Sequence, residues 1–127
     1  MLRDAGLKFT RELSARLVIR SVSETTIRVN DEDYSESIAL TPDDKLCTWA
    51  EKPIADLTND DFAAIIETRP EIVLLGTGGS NVFPPRELTF FFARQGIGFE
   101  VMDTAAAART YNVLANEDRR VAAILYL

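Results

Sequence analysis

Histidine is absent from this chain, and cysteine occurs once. Without histidine there can be no Ser-His-Asp or Cys-His catalytic arrangement and no imidazole metal ligand. The single Cys47 can form no internal disulfide and no cysteine-rich zinc site, which fits a reducing cytosol. In "KLCTWA" it reads as a small, half-buried hydrophobe. No lysine follows Lys52, so no Walker phosphate loop can be completed downstream. No run of eighteen apolar residues exists, which excludes a helical membrane span. The opening "MLRDAGLKFTRE" has no apolar h-region, so no secretory signal is read there. A cytoplasmic location is the expectation.

What remains is ordinary for a globular chain. Its 127 residues are 46% hydrophobic and 27% charged, enough for one domain spanning 1–127 with a substantial core. Net charge is −6, unevenly placed. Between Asp31 and Glu71, twelve acids face only Lys45, Lys52 and Arg69, a balance of −9. That region repels a phosphate backbone, so nucleic acid is not an expected partner. From Gly76 onward five acids balance five bases, and every base is arginine. Arginine makes planar bidentate contacts that lysine cannot; a coding habit explains the bias equally well.

The first half reads as β structure. "ARLVIRSV" (15–22), "TTIRVN" (25–30) and "YSESIAL" (34–40) are short, rich in β-branched residues and separated by polar turns, and a brief fourth strand is predicted around 45–49. Together they predict an antiparallel meander. The second half alternates. "LTNDDFAAIIETRP" predicts a helix capped by Thr58 or Asn59, with Phe62, Ile65 and Ile66 on one face and Pro70 as its stop. "EIVLLG" (71–76) predicts a strand buried on both faces. "PPRELTFFFARQG" predicts a helix closed by Gly96, followed by a strand over 97–103. An alanine-rich helix starting at Asp103 or Thr104 and a final strand in "RRVAAILYL" complete the order. The fold class expected is three-layer α/β: an N-terminal antiparallel meander plus a mixed, mostly parallel central sheet flanked by helices.

"LLGTGGSNVFPP" (74–85) ends a buried strand in glycines and leads into a helix, the position of many phosphate cradles. It is not a complete dinucleotide fingerprint, because Asn81 stands where GxGxxG needs its third glycine. Two readings stay open. Gly76 to Gly79 bind an anion, or Gly76 and Gly78 permit the backbone conformations of a tight turn. The acid clusters "NDED" and "PDD" read as solvated turns rather than a metal site. No catalytic residue, metal site or cofactor is assigned.

Several short motifs occur together in one order: Gly76-Thr77-Gly78, Pro85, Glu100-Val101-Met102-Asp103-Thr104, Thr110-Tyr111-Asn112 and Arg119-Arg120-Val121-Ala122-Ala123. With the hairpin-like "VNDEDYSESIALTPDDKLCTWA", they make the chain resemble the family of unknown function whose mitochondrial members include NADH dehydrogenase (complex I) assembly factor three. Two positions depart from that family's pattern. Gly79-Ser80 stands where members often carry a basic or polar residue after the GTG, and Ala108 stands where cysteine is frequent. The resemblance implies a compact three-layer α/β fold, no established activity and, for mitochondrial members, protein binding during complex I assembly. With no targeting peptide read in the opening segment, a bacterial cytosolic relative is the expectation.

The candidate binding surface comprises Gly76, Thr77, Gly78, Phe90, Asp103, Thr104, Arg109 and Asn112. Asp103 or Thr104 can cap a helix and favour its dipole. Arg109 and Asn112 share a helix face, one turn from the small Ala105. Arg119 and Arg120 are weaker additions, since they precede their strand. Leu88, Phe91 and Phe92 form one stripe and Phe90 lies off it, so either both faces of that helix are buried or Phe90 serves a partner. The expected function is a non-catalytic protein-interaction or assembly-factor-like one, with a protein partner. The alternative is a small-ligand or anion-binding enzyme domain using Gly76–Gly79.

Overall fold

A computed structural model describes residues 16–127. Ala15, the first residue of the earliest expected strand, and the opening segment searched for a signal lie outside the described residues. Strands β1 (Ile19–Val22), β2 (Ile27–Val29) and β3 (Glu32–Tyr34) form a small antiparallel sheet. A second sheet holds β4 (Ile38–Leu40), β5 (Leu46–Thr48), β6 (Ile72–Thr77), β7 (Gly98–Met102) and β8 (Val121–Tyr126), in the order β5-β4-β8-β6-β7. Its β6 runs parallel to both β7 and β8, whereas β4 runs antiparallel to β5 and β8. Among the described residues three α-helices accompany the sheets: α1 (Ala63–Glu67), α2 (Arg86–Gln95) and α3 (Thr104–Asn116). The architecture is the expected mixed α/β fold.

The meander is divided between the two sheets. "YSESIAL" is not one strand: Tyr34 ends β3, and Ile38 opens β4 in the larger sheet. The physical reason is burial. Ile38, Ala39 and Leu40 are all buried, whereas Ser35 and Glu36 are exposed and belong at a corner between sheets. The helix expected from Thr58 is also shorter. It begins as a 3-10 turn over Asn59–Phe62 and becomes α-helical only for Ala63–Glu67. Asp61 accepts the Thr58 amide at 2.7 Å to close its start. Arg69 takes a left-handed backbone, φ 57°, and ends it ahead of Pro70. Cys47, expected to be half-buried, is exposed on the edge strand β5.

Burial on both faces of β6 and β8 sets the layering. Val73 and Leu75 join Phe62, Leu88 and Phe92 on the side of α1 and α2. There Phe92 stacks on Phe99 at 4.4 Å and meets Phe62 edge-on at 5.2 Å. Such aromatic pairs add about 0.5–1.5 kcal/mol beyond area burial. Leu74 points the other way, into a cluster with Ala107 and Tyr111 of α3 and with Ile19, Ile27 and Val29 of the small sheet. The small sheet therefore shares its core with the larger one.

Candidate functional site

The glycine loop rises from the carboxyl end of β6, beside the start of α3, and the polar groups of Thr77 and Gly78 turn inward. Thr104 is buried; its Oγ1 accepts the Gly78 amide at 2.8 Å and donates to the Tyr126 carbonyl at 2.6 Å. The Thr104 amide returns a bond to the Gly78 carbonyl at 2.9 Å. Thr77 donates its hydroxyl to the Ser80 carbonyl at 2.6 Å and accepts the Val82 amide at 3.1 Å. The two threonines thus staple the loop to α3 and β8. Gly78 has φ +96°, a conformation that side chains oppose. Gly76 lies within β6 and owes its identity to close approach instead: a Cβ there would sit 2.9 Å from Thr104 Cα.

Asp103 caps α3 by accepting the Ala106 amide at 2.8 Å, so the helix N-terminus already holds a carboxylate. A cleft of about 560 Å³ lies beside the loop. The charged side chains lining it are Glu24 and Asp103, both acidic. The Gly78 and Val82 amides are engaged within the fold and the charged side chains along the cleft are acidic, neither of which favours an anion.

The other singled-out residues divide in role. Asn112 donates Nδ2–H to the Ile19 carbonyl at 2.8 Å and accepts the Ile19 amide at 3.0 Å. Its side chain acts as a surrogate strand edge, joining α3 to β1. Arg109 is exposed on the same helix face. Phe90 is 55% exposed, while Leu88 and Phe92 are fully buried and Phe91 is intermediate. Of the two alternatives for α2, burial of both faces therefore fails. Arg119 and Arg120 do not join the glycine loop, because they precede β8, at the opposite end of the sheet. Arg119 pairs with Glu71 at 2.7 Å. Arg120 donates to the Arg69 carbonyl at 3.0 Å and to that of Thr68, closing the end of α1, and it meets Asp43 at 3.2 Å.

Sequence reasoning missed Val82 and Phe83, which are 41% and 78% exposed in the excursion between β6 and α2. They stand outside any periodic element, so no hydrophobic pattern points to them. A phenylalanine between a polar loop and a proline pair was the available signal. Arg20, exposed on β1, was also passed over.

The geometry defines a three-layer α/β fold with an internally stapled crest and an exposed aromatic excursion. A family model described as "Protein of unknown function (DUF498/DUF598)" matches residues 19–126, and the chain belongs to that family. It is similar to human NADH dehydrogenase (ubiquinone) 1 alpha subcomplex assembly factor 3, at 30% identity over 91% of this chain and 63% of that protein. A protein of Francisella tularensis subsp. holarctica named "13 kDa major membrane protein" is 41% identical over 57% of this chain and 58% of its own. This chain thus spans roughly three-fifths of the length of these curated relatives. A crystal structure of a protein from Bordetella parapertussis superposes with a TM-score of 0.81 at 33% identity, covering 89% of this chain and 97% of that one. Among the described residues no helix is long and apolar enough to cross a membrane.

Proposed function

We propose that this chain acts by binding another protein, as an assembly-factor-like module without catalytic chemistry of its own. The observation that carries this reading is a pair of exposed aromatics close in sequence: Phe83 in the excursion before α2 is 78% exposed and Phe90 on α2 is 55% exposed. Large exposed aromatics are the groups that supply most of the energy of a protein interface once covered. Covering both rings removes enough apolar surface to stabilise association by on the order of a few kcal/mol. The similarity to complex I assembly factor 3 supports a protein partner, and the class proposed is subunits of a respiratory complex on their way to assembly. Cytoplasm is the compartment that suits this role, and the exposed lone thiol of Cys47 stays reduced there.

The test is affinity purification of the tagged chain from its own cells, in parallel with a Phe83→Ser, Phe90→Ser double variant. The expected result is co-purification of complex I subunits with the unaltered chain and their loss with the variant, at an unchanged melting temperature. Complex I subunits retained by the variant would move the interface elsewhere. Their absence from both samples would remove the complex I role from this member.

A further inference from the structure

A groove of about 330 Å³ runs between β1 and α3, apart from the aromatic excursion. Ala105, Ala108, Arg109 and Asn112 fall at i, i+3, i+4 and i+7, so a single face of α3 forms one wall. Ile19 and Arg20 contribute the other wall from β1. The two alanines keep the floor low, and the Asn112 clamp on Ile19 closes one end. Arg20 and Arg109 are both exposed. Among the described residues neither has a carboxylate within 4.0 Å, whereas Arg16, Arg28, Lys52, Arg119 and Arg120 are each ion-paired. In a chain of net charge −6, two arginines with no carboxylate partner among the described residues therefore line one groove.

At its open end the groove continues, past the shared Val22 and Ala105, into the cleft edged by Glu24 and Asp103. The combined channel is elongated and open, which suits an extended chain better than a compact metabolite that needs enclosure. Its charge is also directional, basic beside Asn112 and acidic towards the glycine loop. We propose that the groove binds an extended acidic segment of a partner protein, whose clustered carboxylates pair with Arg20 and Arg109. Guanidinium groups hold carboxylates in a planar fork, so geometry as well as charge selects the segment. Glu24 and Asp103 repel further acid, so the carboxylates belong at one end of the segment, followed by neutral or basic residues.

The experiment is a titration of the ¹⁵N-labelled full chain, followed by amide chemical shifts. Three probes are used: a capped Glu-Asp-Glu-Gly-Gly-Ser peptide, its counterpart with lysines in place of the acids, and inorganic phosphate. The acidic peptide is expected to produce saturable shifts at residues 20–22 and 105–112 that weaken with salt, and the lysine peptide none. Arg20→Gln and Arg109→Gln should each weaken binding roughly two- to fivefold, as for exposed ion pairs. Arg20→Lys and Arg109→Lys, which keep the charge and lose the fork, should fall between. Melting curves identify any variant that is destabilised, and the lysine variants then carry the comparison. Shifts centred on Arg86 and Arg94 of α2, unchanged affinity in all four variants, or saturation by phosphate at the same concentration as the peptide would each overturn the proposal.

Discussion

Substituting the three glycines of the crest one at a time separates backbone need from ligand need. In Gly76→Ala the new Cβ would lie 2.9 Å from Thr104 Cα, 3.0 Å from Thr104 Oγ1 and 3.1 Å from Ala107 Cβ. The first of these is a backbone atom, so α3 itself must move. Overpacking of this kind costs about 1–3 kcal/mol. Displacing Thr104 also weakens its bonds to Gly78 and Tyr126, each contributing about 0.5–1.5 kcal/mol. The total expected is on the order of 2–4 kcal/mol, a fall in melting temperature of roughly 8–15 °C for a chain of this size. Gly78→Ala meets no atom closer than 3.4 Å but must hold φ +96°, at about 1–3 kcal/mol. Gly79→Ala meets nothing within 4 Å and should stay within about 0.5 kcal/mol of the parent. Thermal melts and urea midpoints of the three variants give the comparison. The reasoning fails if Gly76→Ala melts within about 2 °C of the parent, because α3 would then be free to yield at no cost. The same melts should show one transition, since Ile19, Ile27 and Val29 share a buried cluster with Leu74 and Leu125. Two transitions would separate the small sheet from the rest.

Two further outcomes follow from side chains of α3. Asn112→Ala removes both bonds to buried Ile19 and should cost about 1–3 kcal/mol while accelerating hydrogen exchange at the Ile19 amide; an unchanged exchange rate would show that the clamp is dispensable. Tyr111 has its hydroxyl pKa pushed up to about 12, first by burial and then by the Asp44 carboxylate, while in the unfolded chain it titrates near the ordinary value of 10. Its contribution is therefore complete below about pH 10 and is lost as pH rises towards 12, on the order of 2–3 kcal/mol. Urea midpoints measured from pH 9 to 11.5 should fall along that window and flatten in Tyr111→Phe; a slope unchanged by that substitution would assign the effect elsewhere.

The larger sheet was legible because its strands are extreme cases. "EIVLLG" and "VAAIL" are apolar without alternation, which only burial on both faces permits. Capping at Asp103 and the Gly96 stop were legible for a similar reason: each is a local rule, satisfied by neighbours in sequence. The split of residues 34–40 between two sheets was not, because strand periodicity carries no record of which sheet a strand joins. Arg119 and Arg120 were legible only in part. Their place ahead of β8 indicated the wrong end of the sheet for the glycine loop, but their partners Glu71, Thr68 and Arg69 lie about fifty residues away in sequence.

The candidate residues Gly76, Thr77, Gly78, Thr104 and Asn112 drew notice because they break the pattern of the elements around them. In the folded chain each break meets a structural need: close approach of α3, positive φ, a threonine staple, a clamp on β1. A glycine-rich loop at the end of a parallel strand thus need not face a ligand, and here the Thr77 hydroxyl and the Gly78 amide are bonded within the protein. Phe83 and Phe90 on one side and Arg20 and Arg109 on the other have no such employment among the described residues. Exposed rings cost free energy in water, and exposed arginines contribute nothing to the fold that a shorter polar residue would not. The packing of the described residues does not use these side chains, and the two proposed surfaces are separable by substitution at Phe83 and Phe90 or at Arg20 and Arg109.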